Sequence, residues 1–151
     1  MYSDTVTLFN RFEDAGATTW YPTILRNVDL NVDRAAMIAK YGEQTTDNAA
    51  LHVKYTAENG NVLIAGKRYL PPKLWANQKP EELQDTITFT GGVGFDFFIV
   101  GEWDDAKPIE DNPEQWLDGF YNYVNKRYDY VFSVNSVAQY SVIPHFEIAA
   151  K

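Results

Sequence analysis

The chain has 151 residues, of which 45% are hydrophobic and 15% aromatic, enough for a single domain (residues 1–151) with its own core. It has no cysteine, which excludes disulfides, thiolate metal sites and cysteine nucleophiles. Acidic residues outnumber basic ones 21 to 13, and the net charge of −8 disfavours binding to nucleic acid or anionic membranes. The N-terminal residues show no export signal and no apolar run has transmembrane length, so we expect a soluble protein made in the cytoplasm.

Alternating polar and apolar residues predict strands along the first part of the chain. Thr5–Phe12 and Thr18–Asn27 are rich in β-branched and aromatic residues, and the turn-forming run Glu13–Gly16 separates them. Pro22 cannot donate to a ladder and therefore predicts an edge position or a bulge. The alternation of Val28–Asp33 predicts a strand with one face in water.

The next segment is ambiguous. Arg34–Tyr41 is rich in alanine, which favours a helix, but the flanking alternation favours a continuing strand, which we predict. The polar run Gly42–Asn48 predicts an exposed loop. Leu51–Thr56 alternates again, and Asn59-Gly60 suits the two positive-φ positions of a type I′ hairpin turn. Val62–Leu70, interrupted by a glycine, is the expected partner strand.

A connection and two more strands follow. Lys73–Glu82 is a connecting segment with room for one helical turn, and Asp85–Thr90 and Phe95–Trp103 have strand composition. The glycine-rich run Gly91–Gly94 between them lacks the lysine and serine or threonine of a phosphate-binding loop, so we predict a hairpin turn. Asp104–Asp111 is an acidic linker.

The segment from Asn112 to Arg127 predicts an amphipathic helix. Asn112 suits the N-cap, Pro113 the first helical position and Gln115 the third. The apolar residues that fall on one helical face are Trp116, Leu117, Phe120, Tyr123 and Val124. Tyr128–Val137 and Ser141–Ala149 complete the chain as strands.

Seven to nine short strands with one helix at about 112–127 predict a mainly β (α+β) fold. We expect a small antiparallel β-barrel or sandwich.

Three groups of residues could carry chemistry, and each has a structural reading that we favour. His145 and Glu147 share one strand face and could start a metal site or an acid–base pair, but a third ligand is needed and His52 has no motif around it. The acidic residues before the helix could support glycoside hydrolysis or bind calcium, but they suit a solvated linker; they are Glu102, Asp104, Asp105, Glu110 and Asp111. The aromatic residues that could stack on sugars are Trp20, Tyr21, Trp75, Trp103 and the other tyrosines, although such residues are more often core or interface. We therefore predict no catalytic, cofactor-binding or metal-binding residues.

Four segments resemble a family of small proteins encoded among the structural genes of tailed phages and prophages. The segments that carry the resemblance are Asp4–Asn10, Gly66–Pro72, Phe95–Glu102, and the C-terminal stretch from Val134-Asn135-Ser136-Val137 through His145-Phe146-Glu147-Ile148. The resemblance spans nearly the whole chain except Trp103–Tyr123, and none of its motifs is catalytic.

The resemblance implies a virion protein of the head–tail junction: a connector, head-closure (stopper) or neck component that assembles into a ring. Its implied partners are other copies of itself, portal or adaptor proteins and tail-terminator proteins. DNA would pass through the acidic ring without specific binding. We expect contacts through Glu13–Thr19, Gly42–Asn48 and Asp104–Asp111, so that deletion of the second loop should impair assembly.

Two other classes of function are open, association without catalysis and an enzyme. In the first class the chain is either a carbohydrate-binding β module with exposed tryptophans or another tail-associated minor structural protein. The second is a small hydrolase working through Glu102, Asp104 or Glu147, for which no positioned partner group is visible in the sequence.

Overall fold

A computed structural model describes residues 2–32 and 48–151 of this chain. The elements in chain order are β1 (Asp4–Asp14), β2 (Ala17–Val32), β3 (Ala49–Lys54), β4 (Thr56–Glu58), β5 (Asn61–Ile64), β6 (Lys67–Tyr69), α1 (Pro72–Ala76), a 3₁₀ helix (Pro80–Asp85), β7 (Thr86–Ile87), β8 (Phe97–Val100), β9 (Ile109–Glu110), α2 (Phe120–Arg127), β10 (Val131–Tyr140) and β11 (His145–Ala150). The predictions for Arg34–Tyr41 and for most of Gly42–Asn48 lie outside the described residues.

Six antiparallel strands form a closed barrel in the order β1-β8-β10-β11-β3-β2, and β2 pairs again with β1. This confirms the prediction of a mainly β fold with an antiparallel barrel. The short β9 pairs with β2 at Thr19 and Trp20, so two residues of the predicted acidic linker belong to the sheet. Pro22 lies opposite Phe9 of β1. On the other side of β2, neither the pairing with β9 nor the pairing with β3 includes Pro22, so its missing N–H interrupts no ladder there, as predicted for an edge position.

A second sheet, with strand order β4-β5-β6-β7, packs on the barrel. Asn59 and Gly60 have φ values of 51° and 80°, which confirms the predicted type I′ turn. Ala65 and Gly66 make the same kind of turn, with φ values of 53° and 78°. The predicted strand Val62–Leu70 is therefore two strands joined by a hairpin.

The core has one large cluster inside the barrel and smaller ones outside it. All six barrel strands contribute to the first cluster, in which Leu8, Phe98 and Phe146 are fully buried. On the outer face of β1 and β8, Phe9 stacks on Phe97 with ring centroids 4.9 Å apart. Phe120 of α2 covers that pair, which explains why β1 is buried on both faces. Each such ring contributes roughly 1.5–3 kcal/mol by burial.

The predicted helix is half as long as expected. Asn112 does accept a hydrogen bond from the Gln115 N–H (2.9 Å), but the turn that it caps ends at Gly119, whose φ of 91° is not helical. The helix begins only at Phe120. The expected apolar face is therefore wrong in part, since Leu117 is 86% exposed while Phe120 and Val124 are buried.

The Gly91–Gly94 run is a loop and does not join two paired strands. Strand β7 pairs with β6 and strand β8 with β1 and β10, so the predicted hairpin between β7 and β8 is wrong. The loop instead lies on β10, where the Gly92 N–H donates to the Val134 carbonyl (3.0 Å). A side chain at Gly91 would meet the Asn135 carbonyl oxygen at 2.2 Å, so the close approach needs glycine.

Strand β10 begins three residues later than predicted, because residues 128–130 form a bend after α2. Strand β11 begins four residues later than predicted, because residues 141–144 are a turn and not the start of a strand. This turn exposes the apolar side chains of Val142 and Ile143.

Candidate functional site

Strand pairing places both histidines of the chain on the outer face of the barrel. Leu51 and Val53 of β3, like Phe146 and Ile148 of β11, point into the core. The residues between them therefore point outward, because side chains alternate along a strand. In register, Asp29 of β2 lies across from His52, and His52 lies across from Glu147. We call Asp29, His52, Glu147 and His145 the histidine row.

Glu147 is the centre of the row. Its Oε1 lies 3.1 Å from Nε2 of His145 and 3.8 Å from Nε2 of His52. Nδ1 of His52 lies 3.7 Å from Oδ2 of Asp29, and the two imidazole rings are 5.9 Å apart. Carboxylate and imidazole therefore alternate along the row, an arrangement that can hold protons or exchange them with solvent.

His145 is held on three sides. Its Nδ1 lies 2.6 Å from the Ile143 carbonyl oxygen, and its ring stacks on Tyr140 with centroids 4.9 Å apart and planes 10° apart. The Ile143 carbonyl and then the Glu147 carboxylate raise the pKa of His145 above its ordinary value of 6.5. Both interactions favour the protonated ring, because only imidazolium has a donor on each nitrogen.

The sequence analysis placed His145 and Glu147 correctly on one face of a strand, but it did not place His52 beside them. His145 and Glu147 do share a face of β11, but His52, which had no motif of its own, joins them from β3. The pairing of β3 with β11 joins residues more than 90 positions apart, so no local signal could indicate it. Within residues 2–32 and 48–151, no three histidine or acidic side chains are arranged to hold a metal ion.

Three of the five acidic residues before α2 have separate partners. Asp111 accepts a hydrogen bond from the Phe120 N–H at the start of α2 (3.0 Å) and another from the Trp20 indole N–H (3.0 Å). Glu102 pairs with Arg26 at 2.7 Å, and Asp105 accepts from the Lys107 N–H. Asp111 is thus the residue that caps the helix, from nine positions upstream, and sequence reasoning did not identify it.

The tryptophans considered for sugar stacking are mostly core. Trp20, Tyr21 and Trp75 are buried, and Trp103 packs edge-on against Phe9 and Phe120. Two of the tyrosines in that prediction are exposed around α2. Tyr123, which contacts Trp116 (4.8 Å), and Tyr128, which contacts Trp103 (6.3 Å), are each 37% exposed.

The turn between β10 and β11 exposes apolar side chains beside the histidine row. Val142 is 96% exposed and Ile143 is 72% exposed. Tyr55, the residue after β3, holds the turn, since its hydroxyl donates to the Tyr140 carbonyl (2.8 Å) and its N–H to the Pro144 carbonyl (3.4 Å). A largely apolar groove of about 540 Å³ lies beside the turn; its lining includes Lys54, Tyr55, Leu63, Ala65, Ile143 and Pro144.

The predicted contact loops differ in exposure. The tip between β1 and β2, residues 13–17, is exposed, as are residues 104–107 of the acidic linker. Asn48, the one described residue of the Gly42–Asn48 loop, is only 3% exposed, which contradicts the prediction at that position. Strand β4 adds an edge that the loops did not include, because all three of its residues are exposed.

One buried carboxylate lies apart from these surface features. Asp96 is 1% exposed and accepts hydrogen bonds from the backbone N–H of Arg11, from the backbone N–H of Thr90 and from the Asn10 amide, each at 2.8 Å. Burial raises the pKa of Asp96 to about 7, although the three donors lower it. This carboxylate joins β1 to the loop before β8.

The fold and these surfaces define a small closed antiparallel β-barrel with an attached four-stranded sheet. The chain belongs to the DUF6751 family, a family of unknown function whose model matches residues 1–151. No curated protein and no solved structure matched the chain. None of the helices in the described part of the chain is long and apolar enough to cross a membrane.

Proposed function

We propose that this protein is a non-enzymatic structural protein of the head–tail junction of a tailed phage, a connector or head-closure component that assembles into a ring. It would be made in the bacterial cytoplasm and incorporated into the virion. The resemblance of four segments to phage neck proteins supports this role. The observation that carries it in the structure is the exposed apolar turn between β10 and β11, since exposed apolar residues that project from a barrel mark protein contacts.

The surface fits assembly by contact better than catalysis. The candidate acids pair separately, Glu102 with Arg26 and Glu147 with His145, and do not converge on one another. The edge strand β4 offers backbone groups that a neighbouring subunit could complete. The net charge of −8 would keep a DNA duplex from adhering to a ring of these subunits.

Quantitative mass spectrometry of purified particles from the host that encodes the chain tests the proposal. We expect the protein at low copy number, in fixed ratio to the portal protein. Its absence from particles and from assembly intermediates would overturn the proposal.

The substitution Val142→Asp tests the contact surface. A charge on the apolar turn should reduce incorporation into particles at least tenfold, because it would have to be desolvated at the contact. Val93→Asp is the matched control, because Val93 is 95% exposed in a different loop. Equal incorporation of both variants would show that the β10–β11 turn is not a contact.

A carbohydrate-binding module is the second candidate, favoured by the exposed rings of Tyr123 and Tyr128 beside two partly buried tryptophans. A glycan array tests it directly. Binding that is lost in Tyr123→Ala would support this candidate, and an array with no binding would eliminate it.

A further inference from the structure

The turn between β10 and β11 is bounded by His145, and that residue faces two acceptors at once. The Ile143 carbonyl oxygen lies 2.6 Å from Nδ1, and Glu147 Oε1 lies 3.1 Å from Nε2. A neutral imidazole carries one N–H and can donate to only one of them, whereas imidazolium donates to both. The geometry of the turn therefore matches the protonated ring.

We propose that His145 is a proton-operated latch that holds the β10–β11 turn in its observed shape. When protonated, the ring ties the Ile143 backbone to Glu147 of β11. When the proton is lost, one of these two bonds is lost with it. The turn is then held by Tyr55 and by the stacking of Tyr140, and Val142 and Ile143 gain freedom.

The charged and titratable groups around His145 decide how firmly it holds the proton. Glu147 on the same strand favours imidazolium. On β3, Lys54 lies across from His145 in register, and His52 lies two residues from Lys54. Positive charge on either of these side chains opposes protonation of His145. Asp29 of β2 lies 3.7 Å from His52, at the end of the row away from His145, so positive charge on His52 is attracted to Asp29. Tyr140 on β10 supplies the stacked face.

His145 is better placed than His52 to act as the latch. Nε2 of His145 lies 3.1 Å from Glu147 Oε1, whereas Nε2 of His52 lies 3.8 Å from the same oxygen. The side chain of His145 is also less exposed, 17% against 29%. Of the two histidines, His145 is the one hydrogen-bonded to the turn, through the Ile143 carbonyl.

The latch is tested on the isolated full chain by two measurements across pH 5 to 9. Proton NMR follows the two imidazole rings, and His52→Gln assigns them. Hydrogen exchange, corrected for its intrinsic pH dependence, follows the amides of residues 141–143. We expect the protection of these amides to fall about two- to fivefold as pH rises through the titration of His145, the range for a partly exposed ion pair.

Matched variants separate the latch from a general effect of pH. Glu147→Gln should lower the titration midpoint of His145, and His145→Gln should make protection of the turn independent of pH. Glu114→Gln, an exposed carboxylate before α2, should change neither. Unchanged protection in the wild-type chain, or an unchanged midpoint in Glu147→Gln, would overturn the latch.

A consequence for assembly rests on the proposed function, since the latch shapes the same turn that would contact a neighbour. Particle incorporation should then be stronger at pH 6 than at pH 8.5 for the wild type and equal at both for His145→Gln. A latch seen by NMR in a protein that is absent from particles would overturn the proposed function and leave the latch standing.

Discussion

Asp96 and Glu147 are both carboxylates that accept hydrogen bonds, but they lie in opposite environments. Asp96 is buried in the barrel with three donors fixed around it, and two of these are backbone N–H groups. Glu147 lies on the outer face, with a side chain 43% exposed and two histidines as partners. The buried group therefore holds strands in place, whereas the outer group can respond to protons in solvent.

The largest expected effect concerns the pH dependence of stability through Asp96. Its folded pKa of about 7 lies above the ordinary 3.8, so its ionisation is disfavoured in the folded state. The free energy of unfolding should therefore fall as pH rises from about 4 to 7, by up to about 4 kcal/mol. The measurement is urea unfolding of the wild type and of Asp96→Asn, which keeps the shape but does not titrate.

The difference between these two profiles isolates Asp96 from other groups. His145 also has a raised pKa, but its contribution is present below 6.5 and is lost only at higher pH. Parallel profiles between pH 4 and 7 would mean that the three donors keep Asp96 ionised in spite of its burial.

The strands of the barrel could be predicted because their signal is local. The alternation along β3 and the Asn59-Gly60 turn each arise from residues next to one another. The histidine row could not be predicted, because His52 reaches Glu147 only after β3 pairs with β11. The start of α2 was misplaced for a similar reason. Asn112 does cap a turn, but Asp111 and the left-handed Gly119 determine where the helix begins.

An intermediate effect is expected for Asp111, which is partly buried. Asp111→Ala removes the acceptor for the Phe120 N–H at the start of α2 and for the Trp20 indole. We expect the free energy of unfolding to fall by about 1–2 kcal/mol, the usual cost of losing a helix cap. Urea unfolding measures this, with the exposed Glu114→Ala as control. A loss equal to that of the control would mean that water replaces the carboxylate.

The smallest effect is expected for Glu147→Gln. The ion pairs of Glu147 are partly exposed, so we expect a loss under about 1 kcal/mol at pH 6, where imidazolium is favoured. At pH 8.5 the loss should be smaller, because deprotonation of His145 removes the positive charge that Glu147 pairs with. Urea unfolding at both values, with Glu58→Gln on the exposed strand β4 as control, measures this. A loss in the free energy of unfolding above about 2 kcal/mol at both pH values would contradict the comparison with Asp96. Glu147 would then stabilise the fold as strongly as a buried carboxylate does.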